Sequence, residues 1–176
     1  MACLLTTGRN LGCKSSVGGL KAIYFADYGT LGADLPISAG EITSFTGTPT
    51  LFKYEIKGNS SLENTINSSR ENSSTFYTQT LNLTLPILDK ATQEEIKILA
   101  VSRPHVVIED YNGSFFLVGL ENGTEVTGGT IVSGAAMGDL SGFTLTLEAQ
   151  ETAPPYFVTP SIVIADTSAT AIDPNA

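Results

Sequence analysis

Between residues 77 and 85 the chain reads YTQTLNLTL, where Tyr77, Leu81, Leu83 and Leu85 make alternate positions mostly apolar and Thr78, Thr80, Asn82 and Thr84 make the others polar. A repeat of two is the signature of a β-strand, whose successive side chains point to opposite faces, so this stretch reads as a strand with one dry and one wet side. FTLTLEAQ repeats the pattern, with Phe143, Leu145, Leu147 and Ala149 on one side and Thr144, Thr146, Glu148 and Gln150 on the other. LFKYEIK does so again, setting Phe52, Tyr54 and Ile56 against Lys53, Glu55 and Lys57. KAIYFADY is apolar on both sides and is expected to be a central strand.

The turns agree. In DYNGSFFLVGLENGTEV, residues 110–126, Asn-Gly occurs twice, and Asn-Gly is the strongest short-range hairpin signal because both residues tolerate positive φ. VVIED and SFFLVG should therefore pair antiparallel about the first turn. The small-residue stretch GGTIVSGAAMGD is expected to form a loop or bulged edge. One segment breaks the period of two: LDKATQEEIKILAVSR has an Asp89 or Thr92 cap, Glu94 and Glu95 early, Arg103 late and Pro104 as a stop. It is expected to be a helix over about 90–103, with Ile96, Ile98 and Leu99 giving it an apolar side. The expected fold is mainly β: an antiparallel β-sandwich or barrel-like domain with one flanking α-helix.

With 176 residues, the chain suits one sizeable core. The expected organisation is an N-terminal arm over 1–19, a core over 20–152 interrupted by a long polar loop at 58–74, and a Pro/Ala/Thr-rich extension over 153–176. That extension carries Tyr156, Phe157, Val158, Ile162, Val163 and Ile164, too much apolar surface to leave in water, so it should dock on its own subunit or on a neighbour.

Composition narrows the function. Only 15% of residues are charged, against about 25% in ordinary soluble domains, and the net charge is −9. A chain of that sign repels phosphate backbones, and few of its aromatics adjoin basic residues as base-stacking platforms require. The N-terminus, MACLLTTGRNLGCK, lacks the basic start and apolar run of a signal peptide, and no stretch is long enough to span a bilayer. An intracellularly made, soluble protein is expected, in which the sequons at Asn59, Asn67, Asn72, Asn82, Asn112 and Asn122 are compositional and Cys3 and Cys13 are free thiols.

Catalytic and metal-binding patterns fail on spacing. In GRNLGCKSS only three residues separate Gly8 from Gly12 and Cys13 precedes Lys14, which breaks the phosphate-loop spacing. Asp110, Asn112, Ser114 and Glu121 fit positions of a calcium loop, but Phe115 stands where the sharp turn needs Gly, so a hairpin turn is the better account. The acidic pairs Glu94–Glu95 and Glu109–Asp110 suit a helix start and a solvated turn. His105, the single histidine, lies at a strand start, where backbone groups satisfy it more simply than a catalytic triad would. No cofactor, metal or catalytic residue is expected, and the chain reads as a non-enzyme.

What remains is self-assembly: antiparallel sheets expose edges, and a surface so poor in charge defends them badly. TFYTQTLNLTLPILD, QEEIKILAVSR, VVIEDYNGSFFLVG and GDLSGFTLTLEAQET, spanning roughly 75–152, together resemble in order and kind the elements of bacteriophage tail tube (major tail) proteins. MAC and VGGLKAIYFADYG are also similar to openings of phage virion proteins. The resemblance implies a β-sandwich subunit of stacked hexameric rings in the virion tail, assembled in the host cytoplasm. Its partners would be identical copies and other tail proteins, with DNA passing through unbound and no membrane involved. It implies an acidic lumen, for which Glu109, Asp110, Glu121, Glu125 and Glu148 are the candidates from their hairpins. Asn59, Arg70, Tyr156, Phe157 and Ile162, on the polar loop and the extension, are the candidates for contacts between subunits. The loop and the extension depart from the family pattern and keep open a baseplate, ring or head-to-tail connector role, and the β-rich, low-charge composition equally suits a capsid decoration or auxiliary protein. A Thr/Asn-rich adhesin-like or carbohydrate-binding module is the other class.

Overall fold

The computed structural model describes residues 7–56, 59–169 and 172. Among them the chain is mainly β, in the order β1 (Leu20–Ala26), β2 (Ile37–Ser38), β3 (Glu41–Ile42), β4 (Phe52–Glu55), β5 (Ser61–Ser69), β6 (Ser74–Pro86), α1 (Lys90–Leu99), β7 (His105–Asp110), β8 (Phe115–Val118), β9 (Glu125–Val132), β10 (Gly142–Glu151), β11 (Tyr156–Val158) and α2 (Pro160–Ala165). Two sheets result, a seven-stranded one ordered β2-β3-β11-β8-β7-β1-β4 and a four-stranded one ordered β5-β6-β10-β9.

The strongest sequence alternations meet each other. β6 and β10 pair antiparallel over ten positions, from Pro86↔Gly142 to Tyr77↔Glu151, so Leu81, Leu83 and Leu85 lie in register with Leu147, Leu145 and Phe143 on one face. That face is buried against Ile23, Phe25, Val106 and Ile108 of the larger sheet, and Leu99 of α1 joins the same cluster. Full burial of each such side chain is worth about 1.5–3 kcal/mol, which holds the two sheets together.

β1 lies between β7 and β4. It is apolar on both faces because both are covered: Ile23 and Phe25 face the shared core, while Ala22, Tyr24 and Ala26 face a second cluster with Leu31, Ile42, Leu51 and Val163. The segment 27–51 that supplies much of this second layer is pinned where Gly47 N–H donates to the Leu31 carbonyl at 2.9 Å. A Cβ on Gly47 would lie 2.1 Å from the Thr30 oxygen, so only glycine fits there.

Three expectations need correcting. The stretch 58–74, expected as a polar loop, is from Ser61 on β5 and a tight turn into β6, with Ser61↔Asn82 through Ser69↔Ser74 in register. Its distal pairs lie beyond the end of β10, whose last residue opposes Tyr77, so they have no core beneath them to impose apolar alternation. The core does not stop at 152: the extension docks on its own subunit, one of the two expected outcomes, and in its described part belongs to the core, with β11 inserted between β8 and β3 and α2 laying buried Val163 on the second core. Finally, α1 ends at Leu99 rather than Arg103, and Ile98, expected on its apolar side, is 58% exposed while Leu99 and Ile96 face the core. Pro104 forces its predecessor out of helical geometry, and Arg103 is drawn away to bond the Asn122 carbonyl. The N-terminal arm is exposed and without regular structure over 7–18, and residues 1–6 lie outside the described residues.

Candidate functional site

The open face of the four-stranded sheet carries an acidic row. Register places Glu63 of β5 opposite Thr80 of β6, Thr80 opposite Glu148 of β10, and Glu148 opposite Glu125 of β9. These side chains share the face turned away from the core, because the core-facing positions are the alternate ones. Neighbouring rows are hydroxyls and amides: Thr65, Thr78 and Gln150 on one side, Asn82 and Thr146, then Thr84, Thr144 and Thr130, on the other. They brace one another, with the Thr146 hydroxyl donating to Asn82 Oδ1 at 3.0 Å and the Thr130 and Thr144 hydroxyls 2.5 Å apart. β5, β6, β9 and β10 contain no Lys or Arg. Glu148 directly opposite Glu125 is therefore a like-charge pair without a cation in its own sheet, at a cost on the order of 0.2–1 kcal/mol.

Of the five acidic candidates, Glu125 and Glu148 are in this row, and Glu63, which sequence reading passed over as loop, completes it. Glu109 is withdrawn from the surface: it is 7% exposed, its carboxylate accepting from Lys21 Nζ at 2.5 Å and from the Tyr24 hydroxyl at 2.9 Å. Burial, and then the Glu109 carboxylate, push the Tyr24 hydroxyl pKa up. Asp110 is spent on its hairpin, Oδ1 accepting from Ser114 N–H at 2.7 Å, and the partner turn residue Asn112 bonds both backbone groups of Val17 at the root of the arm. Glu121 is exposed, on the β8–β9 turn rather than on the sheet face, and accepts from the Thr152 hydroxyl at 3.1 Å.

The subunit-contact candidates divide similarly. Arg70 is exposed at the tip of the β5–β6 hairpin. Asn59 is exposed at its base, where its carbonyl accepts from the Thr84 hydroxyl at 3.1 Å. Tyr156 and Ile162, both half-buried, pack against the second core of their own chain. Phe157 is 49% exposed, its ring 4.7 Å from that of Phe116.

A polar knot that sequence reading did not find lies where the chain crosses between the sheets. Glu151, 4% exposed at the end of β10, accepts from the N–H groups of Glu121 at 3.1 Å and Asn122 at 2.9 Å. Arg103 Nη2 donates to the Asn122 carbonyl at 2.7 Å and its guanidinium lies 4.7 Å from the Tyr28 ring centre. The Tyr28 hydroxyl donates to the Glu121 carbonyl at 2.7 Å, and its ring stacks on His105. Both His105 nitrogens are engaged by backbone: Nε2 accepts from Gly29 N–H at 3.0 Å and Nδ1 donates to the Gly119 carbonyl at 2.6 Å. Burial lowers the His105 pKa against the opposing pull of that carbonyl, so the ring is neutral at pH 7. Burial raises the Glu151 pKa, the two N–H donors oppose the rise, and the nearby Glu121 charge adds to it. The knot welds the β8–β9 crossing to the β10–β11 crossing.

Among the described residues no group of three or more His, Cys, Asp or Glu side chains is arranged to hold a metal ion, and no helix is long and apolar enough to cross a membrane. Cys13 is an exposed free thiol, and Cys3 lies outside the described residues. Compared with protein family models, with curated proteins and with solved structures, the chain matches none.

Proposed function

We propose that the chain is a structural virion protein, a tail tube subunit whose β-sandwich closes into hexameric rings that stack and conduct DNA during ejection. The observation that carries this reading is the cation-free acidic row Glu63–Glu148–Glu125 on an otherwise hydroxyl-covered sheet face. A wall that conducts a polyanion must not hold it: each Lys or Arg touching phosphate would bind by releasing counterions, whereas fixed carboxylates keep the duplex centred. Retaining opposed like charges at a stability cost is consistent with such a wall.

The edges support assembly. The strand sense alternates from β5 through β6 and β10 to β9, so the two outer strands run in opposite directions and a neighbour's β5 would meet β9 antiparallel. Side-by-side copies would then continue the sheet around a bore, with the acidic rows facing inward.

The test is charge reversal in assembled particles. Glu125→Lys with Glu148→Lys is expected to leave tube length unchanged and slow DNA ejection several-fold at low salt, the slowing fading as salt rises. Ejection at the wild-type rate in tubes shown to contain the variant would overturn the lumen assignment. Small discrete oligomers on a capsid surface would instead support a decoration role.

A further inference from the structure

Two apolar features lie on opposite edges of the four-stranded sheet, and each is incomplete. Under the β9 edge, between that strand and α1, is a recess of about 300 Å³ bounded by Ile96, Ala100, Val126, Gly129, Ile131 and Phe143. Its β9 lining runs from Val126 to Ile131 and includes the core-facing positions, Val126 in register with Leu147, Gly129 with Leu145 and Ile131 with Phe143. The recess is thus the open side of the core itself, and Ile131 at its rim is 59% exposed. At roughly 30 Å³ per water in the liquid, it has room for one or two apolar side chains.

At the β5 edge, Ile66 pairs with Tyr77, one of the core-facing positions of β6. It points to the core side of the sheet yet is 64% exposed, in the last row that β10 reaches, opposite Tyr77 and Glu151. On the same side of the same strand, Asn64 Oδ1 is buried without a hydrogen-bond partner.

We infer that the recess between α1 and β9 is the receptor for a second copy of this chain, whose β5–β6 hairpin adds along β9 and seats Ile66 against Ile96, Ala100 and Ile131. Opposite strand sense at the two edges allows the addition to be antiparallel, and residues on the core side of the incoming β5 come to lie over the core side of β9. Gly129 leaves the floor without a side chain where the incoming strand is closest. A glycine substitution there is barred in any case, since its Cβ would lie 2.6 Å from the Thr144 oxygen. The contact is head-to-tail, so each copy offers one hairpin and one recess, and such contacts close into rings or run on as filaments. The inference rests on the tube reading and names the surfaces by which its rings close.

Two variants test it by complementation. Ile66→Asp spoils the hairpin and keeps the recess; Ala100→Trp fills the recess and keeps the hairpin. Each alone should weaken self-association by roughly thirtyfold or more, the scale of a buried interface anchor, while melting as wild type does. Mixed one to one, they should form a dimer and nothing larger in sedimentation velocity, because the dimer's two outward surfaces are both spoiled. The regained dimer also shows that both variants are folded. Assembly of either variant at wild-type concentrations, or no dimer from a mixture of two variants that melt normally, would overturn the inference and leave the tube reading standing. A wild-type chain that stays monomeric at high concentration would remove the reading as well.

Discussion

Glu151, which no motif picks out, ties the two crossings between the sheets together through the N–H groups of Glu121 and Asn122. Its carboxylate is buried at the crossing of the sheets, and burial is the largest influence on it, raising its pKa above the ordinary 4.5 despite two N–H donors. A raised folded-state pKa means that the folded chain favours the protonated form. The stabilising contribution is therefore full below the unfolded value of 4.5 and is lost as pH rises through the folded value. Glu151→Gln cannot titrate, so the stability of wild type relative to this variant should increase as pH is lowered from about 7.5 to about 5. Urea melts of both proteins at the two pH values measure it; an offset that is flat, or that shrinks toward acid pH, contradicts the account of this residue. Nothing in the sequence marked it, because Glu151 follows four alternating polar positions in FTLTLEAQE and gains its role only from residues 28, 103, 121 and 122. His105 was legible, since a lone histidine at a strand start has backbone groups on either side to satisfy it.

At the scale of elements, legibility followed the core. β6 and β10 were readable because one face of each is buried along most of its length, and the β7–β8 hairpin because Asn112-Gly113 demands its turn. β2, β3 and β11 have only two or three residues each, too few for a period to show. β5 was hidden for a different reason: past Ile66 it lies beyond the end of β10 with no core to alternate against, so Asn67, Ser68 and Ser69 are polar on both sides. The acidic row was half legible in consequence, Glu125 and Glu148 found and Glu63 lost with the strand that carries it. The projecting hairpin also supports a prediction. Replacing residues 68–75 by Asn-Gly removes only the pairs Ser68↔Thr75 and Ser69↔Ser74, which lie beyond the end of β10. The shortened chain should melt within a few degrees of wild type, a shift of roughly 1 kcal/mol or less. If the tip contacts the next ring, rings of this variant should form and fail to stack; long tubes in electron micrographs would count against that role.

For the whole molecule, charge and edges point the same way. A chain with net charge −9 keeps Lys and Arg out of one entire sheet and places three carboxylates in a row across it, while that sheet's two edge strands have no partner strand on their outer sides among the described residues. In the proposed ring, neighbouring copies would cover these edges and turn the carboxylates toward a bore. Cryo-electron microscopy of the purified wild-type chain at high concentration examines this directly. The account predicts six-fold rings, or tubes of stacked rings, in which β5, β6, β10 and β9 line the bore and Glu63, Glu125 and Glu148 face it. Solitary particles at every concentration, or rings with this sheet face turned outward, would contradict it.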